Sequence, residues 1–357
     1  MRVLIVKLSS LGDVIQTLPV LHDLAARFPG VQMDWVVEEA FADLLRLVPG
    51  IGRVLPCAQR RWRKTPFSSQ TRAQWRQFWQ DLRAQPYDVV IDFQGLIKSA
   101  RVARGARLST QGFSVTYGNR SELCAYEWPV RWMLDRTVPM ERRLHAVARY
   151  RLLAARALGY ETDPLLQQAP VYPLVSDPSA RQPAVFLAHG TTRLDNEWPA
   201  QAWLTLGQHC IASGLQVWIP QANDREQAFA EQLQRGLGAQ AHVLPRTGLA
   251  TLLPMMASCC GVVSVDSGLG HLAVALDLPV VQIFSQPRAW RAGPVGQAHQ
   301  CAVGGEHVPG VPEVWEAWQR CLAHQPGQPS TEQTEQADQA DQAASSHLPD
   351  SSAGPNL

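Results

Sequence analysis

Several stretches of the sequence combine charged, hydroxyl and glycine residues at spacings that could bind or activate a substrate. The first is Ser9-Ser10-Leu11-Gly12-Asp13, which follows an apolar run over residues 2–8. A carboxylate in the first turn of a helix stays ionised because the helix dipole favours negative charge there. An ionised carboxylate that faces a cleft can remove a proton from a hydroxyl group. Asp13 is therefore a candidate general base, although a simple helix cap would have the same pattern.

The second stretch, VDSGLGHLA at 265–273, lies at another junction between an apolar run and a helical pattern. Its glycines have the spacing of a dinucleotide-binding fingerprint, but no acidic residue follows about 20 positions later. Backbone amides at the start of a helix can hold a diphosphate, and His271 in the first turns can assist them. Asp266 beside them suits sugar hydroxyls better than phosphate.

Two further stretches follow predicted strands in the second half of the chain. HGTTRLDNEWP at 189–199 offers Thr191, Thr192 and Arg193, whose hydroxyl and guanidinium groups suit phosphate oxygens. NDRE at 223–226 offers Glu226, a carboxylate that could bind a ribose diol. A capped loop and an ordinary helix start would look similar, so the sequence leaves both roles open.

A cationic cluster, RRWRK at 60–64, surrounds Trp62 in the first half of the chain. Charge runs are usually solvated faces or nucleic-acid patches. No basic stripe occurs elsewhere, and the sequence pI is about 7.7, so a nucleic-acid partner is not expected. The cluster favours an anionic substrate or an anionic lipid surface. The nearby Trp75, Phe78 and Trp79 are predicted to be core residues rather than membrane contacts.

Strands and helices alternate along the chain in two series. The first predicts strands over 2–8, 33–37, 88–93 and 113–117, with helices up to 28 and over 70–85, 95–106 and 140–158. The second predicts strands over 184–188, 215–219, 262–265 and 280–284, with helices over 199–213, 223–237, 248–258 and 268–276. Such alternation is typical of parallel sheets covered by helices on both faces.

A cluster of prolines over residues 164–183 separates the two series. We therefore expect two doubly wound, Rossmann-type α/β domains that face a cleft, over residues 1–175 and 176–324. Residues 325–357 are rich in Gln, Ser and Pro and contain acids but no Lys or Arg. With few apolar side chains to bury, this acidic tail is predicted to be disordered.

The composition excludes several classes of protein. Hydrophobic residues make up 46% of the chain and charged residues 18%, which is enough apolar material for sizeable cores. No run of 18 apolar residues occurs, so no transmembrane helix is expected, and the N-terminus does not have a signal-peptide pattern. The 7 cysteines are an odd set without a CxxC pair. We expect reduced thiols in a cytoplasmic protein rather than disulfides or a zinc site.

Six stretches occur in the order and spacing of one family. They are RVLIVKLSSLGDVIQTLP at 2–19, DWVVEEAF at 34–41, RRWRK at 60–64, DFQGLIKSA at 92–100, HGTTRLDNEWP at 189–199 and VDSGLGHLAVAL at 265–276. Over residues 1–322 the chain resembles the lipopolysaccharide heptosyltransferases. RRWRK and QGLIKSA are specific to the members that add the first heptose of the inner core, whereas SxxGD and VDSGLGH belong to the wider family.

The resemblance implies a GT-B-like fold and an inverting transfer of L-glycero-D-manno-heptose from ADP-heptose to a Kdo residue of Kdo-lipid A. It implies that Asp13 is the catalytic base. The positions that match donor-binding residues are Thr191, Thr192, Asn196, Glu226, Asp266, Ser267, Gly268 and His271. The positions that match acceptor-binding cations are Arg60, Arg61, Arg63, Lys64 and Arg120.

Two departures from the family pattern affect these expectations. Asn196 stands where the pattern TTRxDK carries a phosphate-binding lysine, and FSQPRAWRAGP at 284–294 replaces a run of the Gly-Pro-Thr-Asp-Pro type. Arg193, Arg288 or Arg291 could supply the missing charge, because a guanidinium also binds phosphate.

We expect no cofactor and no metal, since no acidic pair of the DxD type stands at the ligand edge of either predicted sheet. The expected partners are ADP-heptose, Kdo-lipid A and the cytoplasmic face of the inner membrane, as a peripheral contact. Three alternatives stay open at this point. They are another core heptosyltransferase, a nicotinamide-dependent oxidoreductase that uses GLGHLA, and a nucleotide-sugar binder without catalytic activity.

Overall fold

The first half of the chain forms one parallel sheet. In the computed structural model, which describes residues 1–162, 167–174 and 176–324, this sheet has six strands. They are β1 (Arg2–Val6), β2 (Gln32–Glu38), β3 (Ile51–Cys57), β4 (Tyr87–Asp92), β5 (Leu108–Tyr117) and β6 (Arg136–Val138). Their order is β3-β2-β1-β4-β5-β6. The central strands β1 and β4 contain the apolar runs VLIV at 3–6 and VVI at 89–91, because helices cover both faces of the sheet.

The helices of this half begin and end at local sequence signals. They are α1 (Leu11–Thr17), α2 (Pro19–Arg27), α3 (Glu39–Leu45), α4 (Gln59–Trp62), α5 (Ser69–Arg83), α6 (Ile97–Gly105) and α7 (Ala146–Leu158). The Ser68 hydroxyl accepts the Thr71 N–H at 3.0 Å at the start of α5, which is an N-cap. Gly159 ends α7 with a φ of 73°, a left-handed conformation that glycine adopts readily.

The second half repeats this architecture among its described residues. Its strands are β7 (Gln182–Ala188), β8 (Gln216–Ile219), β9 (Ala241–Val243), β10 (Cys259–Val265), β11 (Val280–Phe284) and β12 (Gln300–Gly304). All pair in parallel, in the order β12-β11-β10-β7-β8-β9. The helices are α8 (Ala200–Ala212), α9 (Asp224–Leu237), α10 (Leu249–Ala257), α11 (Gly268–Ala275), α12 (Ala289–Ala292) and α13 (Val311–Ala323).

Each sheet has one point where the strand order reverses, and ligands of open α/β sheets bind outside the carboxyl ends of the strands there. In the first sheet β1 lies beside β4, with Val6 opposite Asp92. In the second, β7 lies beside β10, with Ala188 opposite Ser264. The segments that follow β1, β4, β7 and β10 are therefore the ones expected to carry a site. Together with the helix starts after them, they contain Asp13 and all the donor-side candidates except Glu226.

The two halves meet where α1 packs against α11. A side chain at Gly12 would place its Cβ 2.5 Å from His271 Cδ2, and one at Gly268 would meet Leu11 at 2.7 Å. Real Cβ atoms do not approach so closely, so glycine at both positions permits the contact. One cluster of buried apolar residues contains Val14 and Ile15 of the first half and Leu272 and Ala273 of the second. The core is therefore continuous across this contact.

The predicted fold class, two doubly wound α/β units, is confirmed, and most of the predicted elements occur within a few residues. The single helix predicted up to residue 28 is wrong in one respect. It is two helices, because Pro19 lacks an N–H and instead occupies the first position of a new helix. The short strands β3, β6, β9 and β12 were not predicted.

Four further expectations concern the domain boundary, the acidic tail, membrane-spanning helices and the cysteines. The domain boundary near residue 175 stays a prediction, and the acidic tail over 325–357 lies outside the described residues. Among the residues described, no helix is long and apolar enough to cross a membrane. All 7 cysteines are free thiols, as the sequence predicted.

Candidate active site

Asp13 lies in the first turn of α1, directly after β1, at the contact between the two halves. Its Oδ2 accepts hydrogen bonds from the Ser10 backbone N–H at 3.2 Å and from the Ser10 hydroxyl at 2.8 Å. Its Oδ1 accepts a hydrogen bond from the Tyr150 hydroxyl at 2.8 Å. One oxygen therefore caps the helix, as the simpler interpretation expected, while the other faces groups from distant parts of the chain.

Two cations flank Oδ1 of Asp13, one from each half of the chain. Lys7 Nζ lies 4.0 Å from it and Arg291 Nη2 lies 3.6 Å from it. Burial alone would raise the pKa of Asp13, but the charges of Lys7 and Arg291 and the hydrogen bonds from Ser10 and Tyr150 outweigh it. The pKa of this carboxyl is therefore held well below its usual range, and Asp13 is ionised.

Lys7 and Tyr150 form a buried network behind Asp13. Lys7 Nζ donates to the Tyr150 hydroxyl at 3.0 Å and to the Phe93 carbonyl at 3.3 Å. Burial lowers the pKa of Lys7 to about 8, against the opposing charge of Asp13. Burial and the charge of Asp13 both raise the pKa of Tyr150 well above its usual value. The phenol therefore stays protonated and continues to donate to Asp13.

The loop 284–294, one of the two departures from the family pattern, crosses from the second half to the first. Gln16 Nε2 donates to the Ala292 carbonyl at 3.2 Å. The His145 ring Nε2 pairs with the Gly293 carbonyl at 2.9 Å, while its Nδ1 accepts the Val147 N–H at 3.3 Å. Burial lowers the pKa of His145 to about 4, so the ring is neutral and can make both bonds. The loop that carries Arg291 is thus fixed to the first half.

Asp266 follows β10 and is held by three side chains of the second half. Asn196 Nδ2 donates to the Asp266 carbonyl at 3.2 Å and to its Oδ2 at 3.1 Å. His271 Nε2 lies 3.7 Å from Asp266 Oδ1, and the Thr191 hydroxyl donates to the Asp266 carbonyl at 3.4 Å. Burial would raise the pKa of Asp266, but His271 and the charges of Arg288 and Arg291 lower it.

The remaining donor-side candidates lie at helix starts or in the loop after β7. Ser267 caps α11, because its hydroxyl accepts the Gly270 N–H at 3.4 Å. Glu226 accepts the Ala222 N–H and the Asn223 side-chain N–H, both at 2.8 Å. A Cβ at Gly190 would lie 2.8 Å from Glu226 Cδ, so this carboxylate faces the loop 189–199. Thr192 is exposed in that loop.

The acceptor-side candidates lie beyond the carboxyl ends of β3 and β5. Arg60, Arg61, Arg63 and Lys64 are exposed on and after α4, and Arg120 is exposed after β5. Arg61 is the member that is already paired, since its Nε and Nη2 donate to Glu39 at 3.0 and 2.8 Å. The structure therefore places the cations at the ligand edge of the first sheet. Arg61 differs from the others because its guanidinium is already paired with a carboxylate.

The sequence analysis did not predict that Lys7, Tyr150 and Arg291 would together surround Asp13. Lys7 stood inside a family motif and was one of only three lysines in the chain, which was a usable signal. Arg291 was considered only as a substitute for a phosphate-binding lysine. Tyr150 lies 137 residues from Asp13 in sequence, within an ordinary amphipathic helix, and nothing in the local pattern marked it.

No group of three or more His, Cys, Asp or Glu side chains that could hold a metal ion occurs among the residues described. The cations near Asp13 and Asp266 are instead guanidinium and ammonium groups of the protein itself.

The chain matches the family model described as "Glycosyltransferase family 9 (heptosyltransferase)" over residues 75–313. It is 39% identical over 308 residues to the lipopolysaccharide heptosyltransferase 1 of Pseudomonas aeruginosa, a match that covers 84% of this chain and 82% of that protein.

Solved structures give the same result. The Escherichia coli heptosyltransferase WaaC with ADP superposes with a TM-score of 0.76 at 33% identity, over 96% of this chain and 100% of that one. The same enzyme with ADP-2-deoxy-2-fluoro heptose gives a TM-score of 0.72 at 33% identity, with the same coverage.

The Tyr150 hydroxyl is expected to control the charge state of Asp13. Tyr150→Phe removes a hydrogen bond to a charged group, worth about 1.5–3 kcal/mol, which corresponds to a rise of about one to two units in the pKa of Asp13. Because the pKa of Asp13 lies well below the usual aspartate range, carbon-13 NMR of labelled aspartates is titrated from pH 7 to the lowest pH at which the protein stays folded. The Asp13 signal should begin to move at a higher pH in Tyr150→Phe than in wild type.

The control is Tyr117→Phe, because the Tyr117 hydroxyl donates to the Phe93 carbonyl at 3.4 Å and not to Asp13. An Asp13 signal that titrates identically in wild type and Tyr150→Phe would show that the hydrogen bond does not hold the carboxylate.

Proposed function

This chain belongs to glycosyltransferase family 9, the heptosyltransferases, and we propose that it transfers a heptose from ADP-heptose to the inner core of lipopolysaccharide. The observation that carries the proposal is the position of Asp13. An ionised carboxylate lies at the ligand edge of one sheet, directly opposite the helix start and loops of the other sheet that could bind a nucleotide sugar. A glycosyl transfer needs this juxtaposition of a base and an activated sugar.

The acceptor that we propose is a Kdo residue of Kdo-lipid A, and the transfer is inverting. The support is the RRWRK cluster, whose exposed cations suit the negative charges of such an acceptor. These residues and Asp13 lie at the same edge of the first sheet, so one bound acceptor could contact both. The comparisons favour this function over a nicotinamide-dependent oxidoreductase, because the relatives are glycosyltransferases along most of the chain.

The second half would bind the donor. Backbone amides at the start of α11, which begins at Gly268 directly after Asp266 and Ser267, could hold the diphosphate. Thr191 and Thr192 can donate hydroxyl hydrogen bonds to phosphate oxygens from the neighbouring loop. Glu226, packed against Gly190, would accept hydrogen bonds from the ribose hydroxyls. Asp266 lies between these groups, and its carboxylate would face the heptose hydroxyls.

Asp13 has room for one more hydrogen bond, and the acceptor hydroxyl would make it. A carboxylate accepts about four hydrogen bonds, and Ser10 and Tyr150 supply three. Arg291, at 3.6 Å, is beyond hydrogen-bond distance and leaves the fourth position open. As the hydroxyl oxygen attacks the anomeric carbon on the face opposite ADP, its proton passes to Asp13.

Lys7 and, to a smaller extent, Arg291 hold the pKa of Asp13 low. Asp13 is therefore a weak base while both cations lie beside it, because proton transfer is most effective when the pKa of the base is near the working pH. We infer that the donor diphosphate attracts Arg291 away from Asp13. This movement would stabilise the leaving diphosphate and raise the pKa of Asp13 at the same time. Arg291 would thus replace the lysine that the family pattern places at residue 196.

We further propose that the protein contacts the cytoplasmic face of the inner membrane as a peripheral protein. Phe67, Trp128 and Trp132 expose most of their side chains in the same half of the chain as the cationic cluster. Exposed aromatic side chains beside cations are typical of proteins that rest on anionic lipid surfaces. Such a contact would bring the cleft to a lipid-linked acceptor.

Asp13→Asn is expected to lower kcat by about 10²–10⁴-fold, the range for loss of a general base. The binding of ADP, measured by calorimetry, should not weaken, because the base faces the acceptor and Asp13 no longer competes with the diphosphate for Arg291. Asp43→Asn, at an exposed aspartate of α3, is the matched control. Turnover of Asp13→Asn near that of wild type would remove Asp13 from the mechanism.

Arg291→Ala is expected to lower kcat/KM by about one to two decades, because a charge-assisted hydrogen bond to the diphosphate is worth about 1.5–3 kcal/mol. Adding Asn196→Lys should restore part of this loss. Arg288→Ala should have a smaller effect, since Arg288 Nη2 lies 3.6 Å from Asp195 in the opposing loop.

The control for Arg291 is Arg143→Ala. Arg143 stacks on Trp290 with its Cζ 4.5 Å from the ring centroid, so it contacts the same loop without reaching Asp13. Full activity of Arg291→Ala, or no rescue by Asn196→Lys, would show that the charge at residue 196 is not replaced by Arg291.

Replacing Arg60, Arg63 and Lys64 together with Gln is expected to raise the KM for the acceptor several fold while the KM for ADP-heptose stays the same. The effect should shrink as salt concentration rises, because exposed charges are screened. Arg61→Gln alone should have the smallest effect of the cluster, since Arg61 already pairs with Glu39. A rise in the donor KM instead would reverse the assignment of the two halves.

A further inference from the structure

A large apolar cavity lies in the first half of the chain, between α5 and α6 and beside α4. Its volume is about 740 Å³, within the range of about 300–1,000 Å³ that is usual for small-molecule sites. Its apolar wall is formed mainly by Trp62, Trp75, Phe78, Trp79, Ile97 and Val102. Trp75 and Ile97 are partly exposed, at 49% and 39%. The sequence predicted Trp75, Phe78 and Trp79 as core. This is confirmed for Phe78, which is 5% exposed, and in part for Trp79, which packs partly buried against the same cluster, but it is wrong for Trp75.

Cations surround this apolar cavity. Arg63, Arg72, Lys98 and Arg101 contribute to its lining. Within the described part of the chain none of these four has an acidic side chain within 4.0 Å, although other arginines do. The carboxylate of Glu127, which also lines the cavity, accepts the Ile97 backbone N–H. The cavity thus combines an apolar interior with unpaired positive charge.

The cavity is connected to the catalytic carboxylate through a short series of contacts. Lys98 lines the cavity, and its Nζ lies 3.5 Å from the Ser9 hydroxyl. Ser9 precedes Ser10, whose hydroxyl donates to Asp13 at 2.8 Å. Trp62 and Arg63 belong to the cationic cluster at 60–64 and also line the cavity. The cationic cluster and the cavity therefore share residues, and the cavity lining contacts the segment that carries Asp13.

An apolar interior with a cationic lining selects an amphiphile that has a hydrocarbon chain and an anionic head. The chain would gain from the burial of its methylene groups, and the anion would pair with guanidinium groups. A neutral apolar ligand would not use the cations, and a water-soluble anion would not use the tryptophans. Both features together match one acyl chain of a phosphorylated glycolipid.

We propose that this cavity binds one acyl chain of the lipid acceptor, with the acceptor's phosphate near Arg63, Arg72 and Arg101. The proposal rests on the proposed function, since it takes the acceptor to be lipid-linked. The connection through Lys98 and Ser9 favours the acceptor over a bystander membrane lipid, because Lys98 of the cavity lining contacts the segment that carries Asp13. The cavity would then help to hold the sugar hydroxyl at Asp13.

The test compares two acceptors that differ only in their acyl chains: Kdo-lipid A, and the same molecule with its acyl chains removed. Trp75→Gln and Ile97→Gln make the cavity polar without changing its charge. Each is expected to raise KM for the acylated acceptor about tenfold in detergent solution, while KM for the deacylated acceptor is unchanged. Ile97→Gln has a matched control in Leu47→Gln, at a similarly exposed residue outside the cavity, and Trp75→Phe should retain most of the affinity.

A direct measurement uses dodecyl phosphate, titrated calorimetrically below its micelle concentration, with inorganic phosphate as the ligand without a chain. Wild type should bind dodecyl phosphate at least tenfold more tightly than inorganic phosphate, and Trp75→Gln should abolish this difference. Binding that is equal for the two ligands, or equal in wild type and Trp75→Gln, would refute an acyl-chain site.

The remaining outcomes separate this proposal from the function on which it rests. If the variants raise KM equally for both acceptors, the cavity does not hold the acceptor's chain and the proposal is overturned. The proposal is also overturned if the variants leave both KM values unchanged and only weaken binding to anionic lipid vesicles. If wild type transfers heptose to neither acceptor yet binds dodecyl phosphate in the cavity, the proposed function fails while the amphiphile site stands.

Discussion

The site depends on one ionised carboxylate that is held where the two halves of the chain meet. Asp13 belongs to the first half, and its charge is balanced by Lys7 of that half and by Arg291 of the other. A buried charge that loses its partner is strongly destabilising, so both halves must approach closely here. Glycine at residues 12 and 268 leaves the space for that approach. The sheet order, the loop 284–294 and the continuous core all help to bring the two halves together at this contact.

This arrangement is unfavourable for the stability of the fold, and the chemistry of the site accounts for it. Lys7 is buried and its pKa is lowered to about 8, although an apolar side chain would pack there without the penalty of desolvating an ammonium. Sites that break the usual rules of burial are expected to be functional ones. The two cations are held differently. Lys7 also donates to Tyr150 and to the Phe93 carbonyl, whereas the Nε of Arg291 is buried without a hydrogen-bond partner in the described part of the chain. In the proposed mechanism a diphosphate would therefore compete for Arg291 rather than for Lys7, and the base would become stronger when the donor is bound.

The sequence was sufficient for the repeated α/β pattern and for the location of Asp13 and Asp266, because strand ends and helix starts are local features. It was insufficient for the short edge strands, whose three to seven residues carry no strong periodicity. It was also insufficient for the partners of Asp13. Tyr150 and Arg291 reach it across 137 and 278 residues of chain, and such contacts follow from packing rather than from any local pattern. Glu226 was correctly regarded as ambiguous, since it does complete a helix start.

The two departures from the family pattern are best understood as one change. Asn196 is buried, and its amide donates to Asp266, so it positions a carboxylate instead of offering a charge to phosphate. The positive charge lies instead on Arg288 and Arg291, in a loop that is bonded to the first half through Ala292 and Gly293. A lysine at residue 196 would belong to the donor-binding half alone. If Arg291 binds the diphosphate as proposed, it would do so from a loop that is bonded to the first half, so the charge on the leaving group would be coupled to the contact between the two halves.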